Sequence, residues 1–126
     1  PPMASLLFLS GPDRGKVCPI AGGTFTLGRL AGCDVQLTDE KASREHCRIW
    51  FDHGHKAYML VDLGSANGTK LNGRFLRRET VLAGEDEITF GTTTIRFCRR
   101  TPVWDPSDLP GALESSVRGQ ELLVTQ

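Results

Sequence analysis

Four short motifs in the middle of the chain carry the side chains best suited to bind an anion. In order they are Gly28-Arg29, Ser43-Arg44-Glu45-His46, Ser65-Ala66-Asn67-Gly68-Thr69 and Asn72-Gly73. They supply two guanidinium groups, a serine hydroxyl and a carboxamide at strand ends or in loops, where a rigid scaffold presents binding groups. A guanidinium can bond two phosphoryl oxygens at once and stays charged at physiological pH. The residue types therefore predict an anion-binding loop surface that suits a phosphoryl group.

The same region contains the residue types of a hydrolase triad, which raises catalysis as an alternative. These are Ser43, His46 and Asp62. No Gly-x-Ser-x-Gly elbow occurs, and a serine three positions before a histidine is not a nucleophile signature. His53 and His55 flank a turn glycine, a position that more often leaves such side chains in solvent than on a metal. We therefore expect no catalytic residue, no metal and no cofactor.

The elements that must position these groups are predicted to be short strands. The chain has 126 residues, 39% of them hydrophobic, a length that suits one ordinary domain. Thr24–Leu27 alternates polar with apolar residues, and Asn67-Gly68 and Asn72-Gly73 are turn signals. Eleven closely spaced segments of this kind predict an all-β sandwich or barrel. The segments are 5–10, 16–20, 24–27, 34–37, 46–51, 57–63, 69–71, 75–76, 80–82, 87–90 and 93–98.

The net charge of the chain limits the kinds of partner that we expect it to bind. Fifteen Lys and Arg balance 15 Asp and Glu, so we expect no nucleic-acid binding that depends on neutralising many phosphates. No apolar run approaches the roughly 20 residues of a membrane span, so we expect no membrane contact. The balance is uneven along the chain, because residues 1–100 carry 14 basic and 11 acidic residues whereas residues 101–126 carry 1 and 4.

The composition changes after residue 99. Residues 100–126 contain three prolines and no strand pattern, which predicts an acidic tail or linker, with a short helix at about 108–118 as the alternative. Thr101 follows two arginines and precedes a proline, so it is a plausible kinase target. Thr101 lies three residues past Cys98, a separation that spans at most about 10 Å. If the binding loops lie at the far end of the sandwich, a phosphorylated Thr101 would contact a second chain rather than the loops of its own chain; the alternative is an unmodified linker threonine.

The spacing of the four cysteines is evidence about the cellular compartment of the protein. Cys18, Cys33, Cys47 and Cys98 show no Cys-x-x-Cys spacing, so a zinc ribbon or redox motif is not supported. Their even number leaves a secreted disulfide framework open, but they lie inside apolar patterns of a core that needs no cross-links. The favoured interpretation is reduced thiols in a cytoplasmic protein, with Cys47 directed into the core.

Together with the later Phe90-Gly91, the four motifs resemble the pattern of the forkhead-associated (FHA) domain family. That pattern runs Gly-Arg, Ser-x-x-His, Ser-x-Asn-Gly-Thr, Asn-Gly and a late Phe-Gly, and every part is present. The resemblance covers about Leu6 to Phe97 and indicates an FHA domain at 5–99 followed by the tail at 100–126. It implies a two-sheet, FHA/SMAD-like β-sandwich that binds phosphothreonine peptides through loops at one end, with both termini near the other end and no catalysis.

The resemblance also implies roles for particular residues. Arg29 would contact the phosphate, Ser43 would donate its hydroxyl to a phosphate oxygen, and Arg44 would add a second charged contact. Asn67 would hydrogen-bond the peptide main chain on either side of the phosphothreonine. Lys41 could meet ligand side chains C-terminal to the phosphothreonine.

Other matching positions would support the loops rather than touch the ligand. They are Gly28, His46, Ser65, Gly68 and Thr69. One position departs from the family, because Ala66 stands where a threonine or serine often helps to bind the phosphate. A lost hydrogen bond to a charged group costs roughly 1.5–3 kcal/mol.

These observations predict a module that recruits phosphothreonine-bearing proteins in signalling. The alternative is a structural or assembly sandwich that binds unphosphorylated partners, which the loss at position 66 would permit. Retained Arg29 and Ser43 favour the first.

Overall fold

The structure, a computed structural model, describes residues 3–99. These residues contain eleven short strands. The strands are β1 Ala4–Phe8, β2 Val17–Ile20, β3 Thr24–Gly28, β4 Val35–Gln36, β5 Cys47–Asp52, β6 Ala57–Asp62, β7 Lys70–Leu71, β8 Arg74–Phe75, β9 Thr80–Val81, β10 Glu87–Phe90 and β11 Thr93–Cys98. Each strand end lies within two residues of a predicted segment, so the prediction of an all-β fold is confirmed. The predicted tail at 100–126, with Thr101 and the alternative helix at 108–118, lies outside the described residues.

The strands form two sheets that face each other as a sandwich. One sheet has the order β2-β1-β11-β10-β7-β8, and the other has the order β4-β3-β5-β6-β9. β3 and β4 pair in parallel, whereas the other pairs with a recorded register are antiparallel. No helix among residues 3–99 is long and apolar enough to cross a membrane.

The core lies between the inner faces of the two sheets. In β11, Thr93, Ile95 and Phe97 are buried and alternate with partly exposed residues, as the two-residue period of a strand requires. β1 is buried along its whole length, because Ala4, Leu6 and Phe8 join the main core and Leu7 packs in a second cluster with Cys98, Leu9 and Val17. Cys47 is fully buried, as predicted, and no disulfide joins any of the four cysteines, which all lie among residues 3–99. Burial raises the pKa of the Cys47 thiol.

The arrangement of the strands places the four sequence motifs at one end of this sandwich. Cys47 at the start of β5 pairs with Asp62 at the end of β6, so the loops at 37–46 and 63–69 emerge side by side. The β5–β6 turn at 53–56 lies at the opposite end, where Lys56, Ala4 and Arg99 line one cavity. The motif loops are therefore remote from both ends of the described chain.

Candidate functional site

The end of β3 and the loop at 37–46 approach each other at backbone level. The N–H of Arg29 donates to the carbonyl of Ser43 at 3.1 Å, and the N–H of Leu30 donates to the carbonyl of Arg44 at 3.2 Å. A Cβ on Gly28 would overlap the Arg44 carbonyl and lie 2.9 Å from the Cα of Glu45. Glycine is therefore required at position 28 for this close contact.

The side chain of Arg29 is held from one side and exposed on the other. Its Nε–H donates to the carbonyl of Ala42, which belongs to the loop at 37–46. The residue as a whole is exposed, and none of residues 3–99 forms an ion pair with its guanidinium. The guanidinium is thus oriented by the protein while its terminal N–H groups remain able to bind an anion.

Ser43 is bonded so that its hydroxyl proton stays free to donate. Its Oγ accepts a hydrogen bond from the N–H of Ala66 at 2.9 Å, which links the loop at 37–46 to the loop at 63–69. Its own N–H donates to Nδ1 of His46 at 2.9 Å. Because a hydroxyl that accepts one bond can still donate another, Ser43 is poised to bond an anion's oxygen.

His46 joins the same two loops from inside the protein. Its Nδ1 accepts from Ser43, so its other ring nitrogen, Nε2, carries the proton and donates to the Gly68 carbonyl at 2.9 Å. The side chain is fully buried, and its ring lies 4.8 Å from that of Phe90. Both ring nitrogens are thus used by backbone groups, so His46 does not contact the Ser43 hydroxyl as the base of a catalytic triad would.

Asp62 fixes the conformation of the loop at 63–69. One carboxylate oxygen accepts from the N–H groups of Gly64 and Ser65, and the other accepts from the hydroxyls of Ser65 and Thr69, each at 2.6 Å. Burial raises the pKa of Asp62, but the hydrogen bonds from Ser65 and Thr69 outweigh it and hold the pKa below its usual value. Ser65 also accepts from the N–H of Gly68, at 2.9 Å. Ser65, Gly68 and Thr69 of this network were predicted to support the loops, whereas Asp62 and Gly64 were not.

Asp39 anchors the loop at 37–46 to the turn between β10 and β11. It is 2% exposed and accepts from the Lys41 N–H, from the N–H and hydroxyl of Thr92, and from the hydroxyl of Thr93 at 2.7 Å. Burial raises the pKa of Asp39, yet these hydrogen bonds lower it on balance. Asp39 was not among the predicted site residues, although aspartate before a loop often bonds the backbone two residues on.

Asp13 holds the same loop from the β1–β2 turn. It accepts from the N–H and the hydroxyl of Thr38, both at 3.0 Å, and it pairs with Lys16 at 3.0 Å. It too was not predicted. The loop at 37–46 is therefore held by two buried aspartates: Asp13, which comes from the β1–β2 turn, and Asp39, which lies in the loop itself and bonds the β10–β11 turn.

Asn67 lies exposed at the tip between the two loops. Its Nδ2 donates to the Lys41 carbonyl at 2.9 Å, a bond within the protein that was not predicted. The amide retains a second N–H, and its carbonyl oxygen has no partner among residues 3–99. Asn67 can therefore hold the two loops together and still bond a main chain that crosses them.

Lys41 and Arg44 complete the exposed face of the site. Both side chains are exposed, and neither forms an ion pair within residues 3–99. The backbone of Arg44 accepts bonds from Leu30 and from the Cys33 thiol, so its position is set by the protein. The structure thus brings all five predicted ligand-contacting residues to the linked loops at one end of the sandwich.

Ala66 contributes to the site through its backbone alone. It is exposed, and its N–H orients the Ser43 hydroxyl. The arrangement as a whole offers the oriented guanidinium of Arg29, the exposed guanidinium of Arg44, one hydroxyl and one carboxamide on preformed loops. Such a surface can bind a phosphoryl group and an extended peptide by charge-assisted hydrogen bonds.

Comparisons with known proteins agree on one family. Residues 25–91 match the model of the FHA domain. Over 80 residues the chain is 36% identical to the mouse angiogenic factor with G patch and FHA domains 1, an alignment that covers 57% of this chain and 11% of that protein.

Two solved structures support the same assignment. The solution structure of an Arabidopsis thaliana FHA domain is 30% identical, has a TM-score of 0.74, and covers 82% of this chain and 91% of its own. A second, described in work on phosphothreonine-dependent FHA domain interactions, is 29% identical with a TM-score of 0.65 and covers 79% of this chain and 99% of its own.

Proposed function

Because this chain belongs to the FHA domain family, we propose that it is a phosphothreonine-dependent interaction module that recruits phosphorylated proteins in signalling. The single observation that carries the proposal is the pairing of Ser43 with Ala66, which orients a hydroxyl beside the end of β3 and leaves its proton to donate. The activity we propose is binding without catalysis. A cytoplasmic setting, with which four cysteines outside any disulfide are consistent, is part of the proposal.

In this proposal the phosphate is bound by three side chains. The Arg29 guanidinium, held by the Ala42 carbonyl, bonds two phosphate oxygens, and Ser43 donates its hydroxyl to one of them. Arg44 adds a second positive charge from the neighbouring position. A phosphate carries a charge of about −1.5 to −2 at pH 7, so each of these bonds is charge-assisted.

The peptide on either side of the phosphothreonine is held by Asn67 and Lys41. The Asn67 amide bonds the main chain, so it fixes the register of an extended ligand without reading its side chains. Lys41 borders a cavity of about 180 Å³ with Asn67, Phe75 and Gly91, and its ammonium group favours an acidic ligand residue there. The backbone of Lys41 is held in place, because its N–H donates to the Asp39 carboxylate and its carbonyl accepts from the Asn67 amide. This fixed position supports the assignment.

The proposal is tested by screening the full chain against an oriented phosphothreonine peptide library. The best sequence is then synthesised with phosphothreonine, phosphoserine or plain threonine and titrated by isothermal calorimetry. We expect the phosphothreonine form to bind, the plain form to bind at least a hundredfold more weakly, and affinity to fall as salt rises. Equal binding of the phosphorylated and plain forms would instead favour an assembly domain that binds unphosphorylated partners.

A further inference from the structure

A groove lined by arginines runs along the side of the sandwich between β8 and β9. It has a volume of about 530 Å³ and is lined by Leu71 and residues 74–81. Arg74, Arg77 and Arg78 lie within this stretch, and Glu79 is its one acidic residue. All three arginines are exposed. The groove is therefore strongly positive.

Among residues 3–99, no carboxylate forms an ion pair with the guanidinium of Arg74, Arg77 or Arg78, although Glu79 follows Arg78 in the chain. In contrast, the acidic residues Glu85 and Glu87 lie near Arg96 on another strand, at 3.7 and 3.8 Å. Three positive charges within five residues, beside the single negative charge of Glu79, attract an acidic molecule at long range.

The groove also has exposed apolar surface. Phe75 is 58% exposed and Val81 is 43% exposed, and they lie at the two ends of the lining stretch. Exposed large apolar side chains that line one groove often mark a site of interaction with another molecule. Paired with arginines, they suit a peptide whose acidic residues are interspersed with apolar ones.

Phe75 connects the groove to the phosphate-binding loops. A Cβ on Gly68 would lie 2.8 Å from the Cε1 atom of the Phe75 ring, so the ring covers the loop at 63–69. Lys70 lies over the same ring, 4.9 Å from its centroid. Phe75 also borders the cavity that contains Lys41 and Asn67. A peptide that leaves Asn67 on this side therefore passes directly onto Phe75.

We propose that the groove at 74–81 binds an acidic segment of the same phosphorylated partner, several residues away from its phosphothreonine. This inference rests on the proposed function and extends it: the ligand is a phosphothreonine flanked by an acidic stretch. Arg74 and Arg78 are four residues apart in the chain, so their Cα atoms are at most about 14 Å apart. An extended peptide advances about 3.3 Å per residue, so a stretch of four to six residues is long enough to reach from one to the other. The guanidinium groups would bond its carboxylates, and Phe75 and Val81 would contact its apolar side chains.

The test uses one phosphothreonine peptide in five forms, measured by fluorescence anisotropy on the full chain. One form is short, two carry four glutamates at the N- or C-terminal side, and two carry four glutamines in the same places. We expect one glutamate form to bind about threefold to tenfold more tightly than its glutamine partner. Arg77→Gln/Arg78→Gln should abolish this preference and leave the short peptide unaffected.

A matched variant controls for overall charge. Lys56→Gln/Arg99→Gln removes the same two charges at the opposite end of the sandwich and should keep the glutamate preference. If wild type shows no preference, or if the preference survives Arg77→Gln/Arg78→Gln, the inference is wrong while the proposed function stands. If the short phosphopeptide itself fails to bind, both are wrong.

The chain's own acidic tail is the competing occupant. Asp105→Asn/Asp108→Asn neutralises two of its acidic residues. If wild type shows no glutamate preference but this variant does, the groove is occupied by the tail and the proposal is overturned.

Discussion

The N–H of Ala66 donates a 2.9 Å hydrogen bond to the hydroxyl of Ser43, a residue 23 positions earlier in the chain and in a different loop. This bond sets the direction of the hydroxyl without using its proton. It also shows what position 66 supplies when its side chain has no donor. The backbone positions Ser43, whereas a hydroxyl at position 66 would contact the ligand itself.

Ala66→Thr is expected to strengthen binding of a phosphothreonine peptide. The side chain of Ala66 is exposed, so a hydroxyl can be added without displacing a neighbour, and the backbone N–H is unchanged. A new bond to a charged phosphate is worth about 1.5 kcal/mol, or roughly tenfold in affinity. Calorimetric titration measures the change. Ala66→Val, which has the shape of threonine but no hydroxyl, should give no gain, and an equal gain in both variants would contradict this account.

His46→Ala is expected to destabilise the domain and to loosen both loops. The substitution leaves the Ser43 N–H and the Gly68 carbonyl without their partner and creates a cavity beside Phe90. The loss in free energy of unfolding should be about 3 kcal/mol, measured by urea denaturation. His53→Ala, at the exposed turn of the opposite end, should change it by less than about 0.5 kcal/mol. Equal effects of the two substitutions would argue against the bracing role.

Gly28→Ala is expected to weaken both stability and peptide binding. Its Cβ would overlap the Arg44 carbonyl, so the backbone on both sides must move, at a cost of roughly 1–3 kcal/mol. Arg29 and Arg44 would move with it. Gly32→Ala is the matched control, because no atom lies within 4 Å of its added Cβ. Thermal unfolding and peptide titration of the two variants should separate them, and unimpaired binding by Gly28→Ala would contradict the geometry.

Acid is expected to destabilise the domain through its buried aspartates. The pKa values of Asp13, Asp39 and Asp62 are raised by burial, but hydrogen bonds lower them further, so each is below its usual value. A lowered pKa in the folded state stabilises the fold above the unfolded value of about 3.9, and this stability is lost as pH falls through the folded value. The free energy of unfolding in urea should be nearly flat from pH 7 to 5 and should fall below about pH 4.

Asp39→Asn tests this pH dependence at one group. The variant should be less stable at pH 7 and should lose less stability on acidification than wild type. Glu40→Gln, an exposed neighbour in the same loop, should leave the curve unchanged. A curve for Asp39→Asn that is parallel to that of wild type would show that Asp39 does not contribute.

The strands could be predicted from sequence because their signals are local. Alternation in β3 and the glycines after Asn67 and Asn72 are readable within a few residues, and Gly68 and Gly73 adopt the positive φ that these turns require. Asp39 could not be predicted in the same way, since its partners Thr92 and Thr93 lie 53 and 54 residues away. Contacts of that kind depend on the packing of the two sheets.

The candidate site, like the fold, could be predicted only in part. The residue types of Arg29, Ser43 and Asn67 indicate an anion site from the sequence alone. The bonds that orient them, from Arg29 to the Ala42 carbonyl and from Asn67 to the Lys41 carbonyl, involve backbone groups, which every residue carries. The sequence identifies such side chains, but only the fold shows which backbone atom each one contacts.

The most direct test of the central claim is the titration of one phosphothreonine peptide into wild type, Arg29→Ala and Ser43→Ala. The phosphothreonine form should lose at least about a hundredfold in affinity with Arg29→Ala and roughly tenfold with Ser43→Ala, because each substitution removes charge-assisted bonds to phosphate. Circular dichroism should show both variants folded. Unchanged affinity in folded Arg29→Ala, or the same affinity for the unphosphorylated peptide in wild type, would contradict phosphothreonine recognition by these loops.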